Sequence, residues 1–210
     1  MDNQKSTLAA RLLDIKAIKL QPNNPFTWAS GWKSPFYCDN RKTLSYADLR
    51  NYIKLRIVNA ILENFADADV VAGVATGAIA QGALVADALN MPFVYVRPKP
   101  KDHGMQNLIE GDLQAGQKVV VVEDLISTGG SSLKAVEAIR QAGCEVVGMV
   151  ASYTYGFPVA EKAFADAGVK LITLTDYEHV VAKALETGYI QQADTQLLTE
   201  WRQAPDKWCQ

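Results

Sequence analysis

From residue 69 onward, short apolar runs alternate with stretches of helical period. The runs are DVVAGVA (69–75), FVYVR (93–97), KVVVVE (118–123), CEVVGMVASY (144–153) and VKLITL (169–174). Helical patterns fall at about 78–89, 131–142, 158–167 and 176–187, with a last one near 191–204. Strand–helix alternation of this kind predicts an α/β chain: a single Rossmann-like domain with a central parallel sheet of about five strands flanked by helices. The N-terminal part follows another rhythm. Leu8, Leu12, Ile15 and Ile18 recur at helical spacing, predicting a helix over 4–18, and Pro22, Asn23, Asn24 and Pro25 then break the chain. FTWASGWKSPFYCDNR (26–41) is rich in aromatics and turn formers, and a second amphipathic helix fills 46–65. These boundaries predict an N-terminal helix and hood (1–42) over the strand ends, and a core domain with a C-terminal helix (43–210).

The chain has 210 residues and a formal net charge of -2. That balance argues against nucleic acid as a main partner. The three cysteines, Cys38, Cys144 and Cys209, form no CxxC pair, which suggests neither zinc nor a disulfide framework. No apolar run approaches membrane length and the N-terminus lacks a signal-peptide core, so a cytoplasmic protein with no membrane partner is expected.

The densest chemistry lies in VVVVEDLISTGGSS (119–132). Val119 to Val122 read as a strand buried on both faces. The acidic pair Glu123 and Asp124 follows at its carboxyl end, then Leu125 and Ile126, then Ser127-Thr128-Gly129-Gly130-Ser131-Ser132, which open a helix. A small, hydroxyl-rich turn before a helix offers unpaired N–H groups and the positive end of a dipole, which suits a phosphate. The carboxylates would repel that phosphate and make better sense as acceptors for sugar hydroxyls or as indirect ligands of magnesium. The competing reading is a plain strand–turn–helix junction capped by Ser131 or Ser132. No GxxxxGK[ST] or GxGxxG motif occurs.

YVRPKPKDHGMQNLIEG (95–111) concentrates Arg97, Lys99, Lys101 and His103 in a segment kept irregular by prolines and glycine. It reads either as a solvated charged loop or as a mobile one that closes cations over a polyanion. Cations aimed at a departing pyrophosphate would stabilise the transition state more than the ground state.

Residues 119–131 resemble the phosphoribosyl-diphosphate (PRPP) motif of type I phosphoribosyltransferases, and Gly73 to Gly77 (GVATG) resemble the pyrophosphate loop of that superfamily. RPKPKDHG followed by IEG, and the segment SGWKSPFYCDNR from Ser30 to Arg41, resemble the catalytic loop and hood of orotate phosphoribosyltransferases. The resemblance implies the type I phosphoribosyltransferase fold. It implies transfer of the ribose 5-phosphate of PRPP to orotate, giving orotidine 5′-monophosphate and pyrophosphate in pyrimidine synthesis, with Mg2+. By position, Arg97, Lys101 and His103 would be catalytic and contact the diphosphate. Glu123 and Asp124 would take the ribose hydroxyls, and Leu125, Ile126, Ser127, Thr128, Gly129, Gly130 and Ser131 would complete the PRPP site. Ala75, Thr76 and Gly77 would form the pyrophosphate loop, while Ser127, Lys33, Phe36 and Tyr37, with Ser30, would hold orotate, although Phe36 and Trp32 read equally as hood core. No direct protein ligand to the metal is expected; PRPP and waters near Glu123 and Asp124 would hold it. A homodimer is implied, with the loop Arg97–Gly111 reaching the neighbouring subunit's site.

The chain departs from that pattern. Some relatives carry lysines where this chain has Pro98, Gly77 and Ala29, and Lys99 is a candidate to replace the first. The arginine that grips orotate's carboxylate in those relatives falls near Tyr155, which has no charge. Backbone amides of the hood or Arg41 are candidates instead. Two rival readings stay open from the residues: a transferase for another base, and a PRPP-sensing regulator. His179 reads as structural, and Trp201 and Trp208 as packing or a dimer contact.

Overall fold

The computed structural model describes residues 2–28, 31–99 and 108–208. Along the chain run helix α1 (Asp2–Asp14) and strands β1 (Ile18–Leu20), β2 (Phe26–Thr27), β3 (Lys33–Ser34) and β4 (Phe36–Cys38). A 3-10 turn (Asn40–Ser45), α2 (Ala47–Asn64), β5 (Val70–Val74), α3 (Ile79–Leu89), β6 (Phe93–Val96) and β7 (Ile109–Glu110) follow. Then come β8 (Lys118–Ile126), α4 (Gly130–Gln141), β9 (Glu145–Thr154), α5 (Pro158–Asp166), β10 (Leu171–Asp176), α6 (Tyr177–Glu186) and α7 (Asp194–Gln203).

These elements form two compact units. Leu44 to Leu174 make the α/β unit. Its sheet has the order β10-β9-β8-β5-β6-β7, with β5/β6, β5/β8 and β8/β9 parallel and β7 antiparallel on β6. All five expected strands are present. The sixth, β7, is two residues long, too short for a periodic signal, and pairs Tyr95 with Glu110 and Val96 with Ile109. Val119 to Val122 are fully buried, as a strand covered on both faces requires. Because β8 lies beside β5, the strand ends at Val74 and at Glu123 open onto a shared crevice, the usual place for ligands in an open α/β sheet.

The second unit joins the described residues up to Thr43 with those from Thr175 onward. This grouping differs from the expected division at residue 42, which put the entire C-terminus in the core domain. Its physical cause is packing: α6 lies against α1, Lys5 Nζ reaches Asp176 at 2.9 Å, and Thr175 Oγ1 donates to the Lys5 carbonyl at 2.9 Å. Trp201 of α7 is fully buried and stacks on Phe36 at 5.4 Å. The first helix is also shorter than its apolar spacing predicts. Lys16 adopts φ 54°, and the bonds from Ala17 N–H to the Leu12 carbonyl and from Lys16 N–H to the Leu13 carbonyl form a Schellman stop. Lys42 Nζ caps the freed carbonyls of Ile15 and Lys16, and Ile18 passes into β1.

Candidate active site

Two turns of the α/β unit meet at the crevice. β5 ends at Val74, and the chain leaves it through a cis Ala75–Thr76 peptide. Ala75 N–H donates to the Val96 carbonyl and Ala78 N–H to the Val74 carbonyl, pinning both ends of the turn. No backbone acceptor among the described residues takes the N–H of Thr76 or Gly77.

The second turn follows β8. Its helix, α4, starts after Gly129, whose φ of 82° suits glycine, and no side chain caps it. The first helical bond runs from Leu133 N–H to the Gly129 carbonyl at 2.9 Å. The N–H groups of Gly130, Ser131 and Ser132 thus lie outside the helical ladder, at the positive end of its dipole. Ser132 is not the helix cap: its buried hydroxyl donates to Glu123 Oε2 at 2.8 Å. Glycine at 129 also gives room to a neighbour, since a Cβ there would stand 2.9 Å from the Phe164 ring.

Between the turns is a cavity of about 250 Å³ lined by Ala75, Thr76, Gly77, Glu123, Asp124, Leu125, Ser127, Thr128, Gly129 and Ser131, with Val74 at its back. The structure thus gathers all three pyrophosphate-loop candidates and most of the PRPP candidates around one space. Ile126 is fully buried beneath it, and Gly130 lines a neighbouring cavity. The two carboxylates differ. Glu123 is 5% exposed, and its Oε1 accepts from Asp124 N–H at 2.9 Å. Burial, then the charge of Asp124, push its carboxyl well above the ordinary carboxylate range. Asp124 is half-buried, and its carboxylate lies over Gly77, where a Cβ would overlap it. A side chain at position 77 would require the Asp124 carboxylate or the turn to shift.

Arg97 follows β6. Its N–H donates to the Leu108 carbonyl at 2.8 Å and its Nη1 to Glu110 Oε1 at 3.3 Å, so the residue clamps the stem of the hairpin formed by β6 and β7. Lys101 and His103 lie outside the described residues, as does Ser30.

In the other unit, Lys33 Nζ donates to Thr27 Oγ1 at 2.8 Å, and Tyr37 is exposed with its ring 5.4 Å from Phe26. Phe36 needs correction: it has no exposed surface and packs between Tyr177 and Trp201, so its ring is core and not a base contact. Arg41 pairs with Asp39 at 2.7 Å. Tyr155 is buried and stacks on Phe157 at 5.3 Å. His179 N–H donates to Asp176 Oδ1, the cap of α6. Glu110 and Ser132 as partners of Arg97 and Glu123 were not foreseeable from spacing, because both act through contacts made only after the sheet forms.

A phosphoribosyl transferase domain matches residues 49–186. The chain is 70% identical over 208 residues to an orotate phosphoribosyltransferase of Bacteroides fragilis, covering 99% of this chain and 98% of that one. Among solved structures it is similar to the orotate phosphoribosyltransferase of Aeropyrum pernix (29% identity, TM-score 0.75, 88% of this chain and 99% of that one). The Mycobacterium tuberculosis orotate phosphoribosyltransferase in complex with PRPP is also similar (26% identity, TM-score 0.65, 84% of this chain and 98% of that one).

Proposed function

The chain belongs to the orotate phosphoribosyltransferases, and from that premise we propose how its own residues carry the transfer of ribose 5-phosphate from PRPP to orotate in pyrimidine biosynthesis. One observation bears most of the weight. Two turns with unbonded backbone N–H groups flank a carboxylate pair across a cavity of about 250 Å³. The turn at Ser127–Ser131 takes the 5′-phosphate at the N-terminus of α4. The turn at Ala75–Gly77 takes the diphosphate through the N–H groups of Thr76 and Gly77. Asp124 and Glu123, both lining the cavity, accept from the ribose hydroxyls.

As the C1′–O bond breaks, its electron pair leaves with pyrophosphate and the ribose gains oxocarbenium character. Arg97, Lys101 and His103 bear the charge that builds on the leaving group. Donors aimed at developing charge are typically worth about 10²–10³ in rate each. His103 has the pKa range to donate a proton to the departing diphosphate. A ring nitrogen of orotate then bonds to C1′ and gives up its N–H proton to water. Lys33 and Tyr37, with Ser127, are the residues that the family resemblance assigns to orotate.

Among the described residues no three His, Cys, Asp or Glu side chains come together as a metal site. Glu123 already accepts from Ser132 and from the Asp124 N–H. Glu123 and Asp124 are the carboxylates that would hold a magnesium ion, through water, beside the diphosphate. When bound, such an ion neutralises charge on the diphosphate. A homodimer, in which the loop Arg97–Gly111 serves the neighbouring subunit's site, completes the proposal; a cytoplasmic location is in keeping with the lack of any membrane-crossing helix among the described residues.

The test is loss of orotate absorbance on adding PRPP, with magnesium and then with excess chelator. Magnesium-dependent loss that the chelator stops is the expected result. Turnover of hypoxanthine, guanine or uracil in place of orotate would overturn the reading.

A further inference from the structure

The turn that would receive the diphosphate brings no cation of its own. Ala75, Thr76 and Gly77 are uncharged, and the Asp124 carboxylate lies over Gly77. Asp124 and Glu123 instead place negative charge beside a ligand that is itself a polyanion. Beyond the loop cations assigned above, further positive charge within reach of this turn comes from the nearby walls.

A second cavity, of about 540 Å³, adjoins the first and shares Val74, Ala75 and Ser131 with it. One wall is the hairpin stem at Val96, Arg97 and Leu108; the other is the face of α4 that carries Lys134. Among the described lining residues of both cavities, Arg97 and Lys134 are the cations. They are not equivalent. Arg97 is held by Glu110 at 3.3 Å and is one-third exposed, so part of its charge is already answered. Lys134 is exposed and, among the described residues, takes part in no ion pair or hydrogen bond. Its neighbour one turn on, Glu137, accepts from Gln141 Nε2 at 3.0 Å. Val96, Leu108, Ala135 and Ala138 supply apolar wall, and Glu137 is the carboxylate that lines the same cavity.

We infer that Lys134 is a positioning cation for the diphosphate end of PRPP and for pyrophosphate, acting across the cavity it shares with Ala75 and Arg97; this rests on the phosphoribosyl-transfer reading of the site. Lys134 does not line the cavity that holds Ser127 and Thr128. We place its effect on the diphosphate, because the cavity it lines reaches the diphosphate turn at Ala75 and is closed on the far side by Arg97. The interaction is long-range and partly screened, so it is strongest at low ionic strength.

The experiment is direct binding of pyrophosphate and of ribose 5-phosphate to the full-length protein, wild type, Lys134→Ala and Lys134→Arg, at low and high salt. Lys134→Ala should weaken pyrophosphate by roughly three- to ten-fold at low salt, with the gap closing at high salt as screening demands. Ribose 5-phosphate affinity should hold, and Lys134→Arg should restore pyrophosphate binding. In turnover, the KM for PRPP should rise with kcat near wild type. Unchanged pyrophosphate affinity at low salt, or an equal loss for both ligands, overturns the inference. Wild type that binds pyrophosphate but never consumes orotate would sink the orotate reading and leave Lys134 to be judged on the binding data alone.

Discussion

Ser132 Oγ donates to Glu123 Oε2 at 2.8 Å, tying the end of the buried strand β8 to the first turn of α4. The bond spans the turn that would hold the 5′-phosphate, so it sets the distance between the ribose acceptors and the phosphate donors. Ser132→Ala should leave a buried carboxyl short of a donor at a cost of about 1–3 kcal/mol. The expected outcome is a lower melting temperature together with a raised KM for PRPP. A variant with wild-type values in both would show that the bond does not organise the turn.

Glu123 itself predicts a pH dependence. Burial, followed by the charge of Asp124, raises its carboxyl above the ordinary value of about 4.3. For a raised acid the stabilising contribution is complete below the unfolded value and is lost as pH climbs through the folded one. Glu123→Gln removes that loss while keeping both bonds, since an amide oxygen accepts from Asp124 N–H and its NH₂ donates to Ser132. Thermal melts from acid to mildly alkaline pH should therefore fall less steeply for the variant than for wild type. Parallel curves would show that Glu123 does not titrate in this window.

Gly77→Ala tests the contact with Asp124. A Cβ at this position overlaps the Asp124 carboxylate, so either the turn or the carboxylate must move. Both are assigned to PRPP, and small displacements of positioning groups are costly. We expect kcat/KM for PRPP to drop by about 10²-fold, with little change in melting temperature. Activity within about a factor of two of wild type would mean that Asp124 has room to withdraw without penalty.

Much of this arrangement is legible in the chain because it depends on local pattern. Val119–Val122 read as a doubly covered strand because the run is short, β-branched and followed by turn formers, and the small residues Ser127–Ser131 read as the turn that opens a helix. The fate of Phe36 is not local. It stands in an aromatic segment next to exposed Tyr37, and only the arrival of Trp201 and Tyr177 from the far end of the chain makes it core. The same long-range packing groups the residues after Leu174 with the N-terminal segment instead of the α/β unit, which no composition break announces. Lys16 is a third case: the apolar spacing continues to Ile18, but a left-handed residue ends the helix first.

Asp176 joins the two ends of its unit by accepting from Lys5 Nζ at 2.9 Å and from His179 N–H at 3.1 Å. Burial alone would raise its carboxyl, but the bonds from His179 and Lys5 outweigh it and hold the group below its ordinary value. A lowered acid stabilises above its unfolded value of about 3.9 and loses that contribution as pH falls through the folded one. Asp176→Ala should cost about 1–2 kcal/mol at neutral pH through loss of the cap and its ion pair. In chemical denaturation the difference from wild type should shrink in acid below about pH 4. A difference that stays constant down to that range would assign the loss to packing and not to the charge.

The dimer proposal makes the sharpest claim about where the loop acts. If Lys101 serves the neighbouring subunit, a Lys101→Ala dimer and an Asp124→Asn dimer are each inactive for different reasons. Unfolded and refolded together, they form hybrids in which one site combines an intact Asp124 with an intact loop from its partner. Random pairing makes about half of all dimers hybrid, each with one working site of two, so activity should recover to about one quarter of wild type. A loop acting within its own subunit predicts a different hybrid: one site keeps Lys101 but lacks Asp124, and the other keeps Asp124 but lacks Lys101. No recovery would then be seen at any mixing ratio, and measuring orotate turnover across a series of ratios separates the two arrangements.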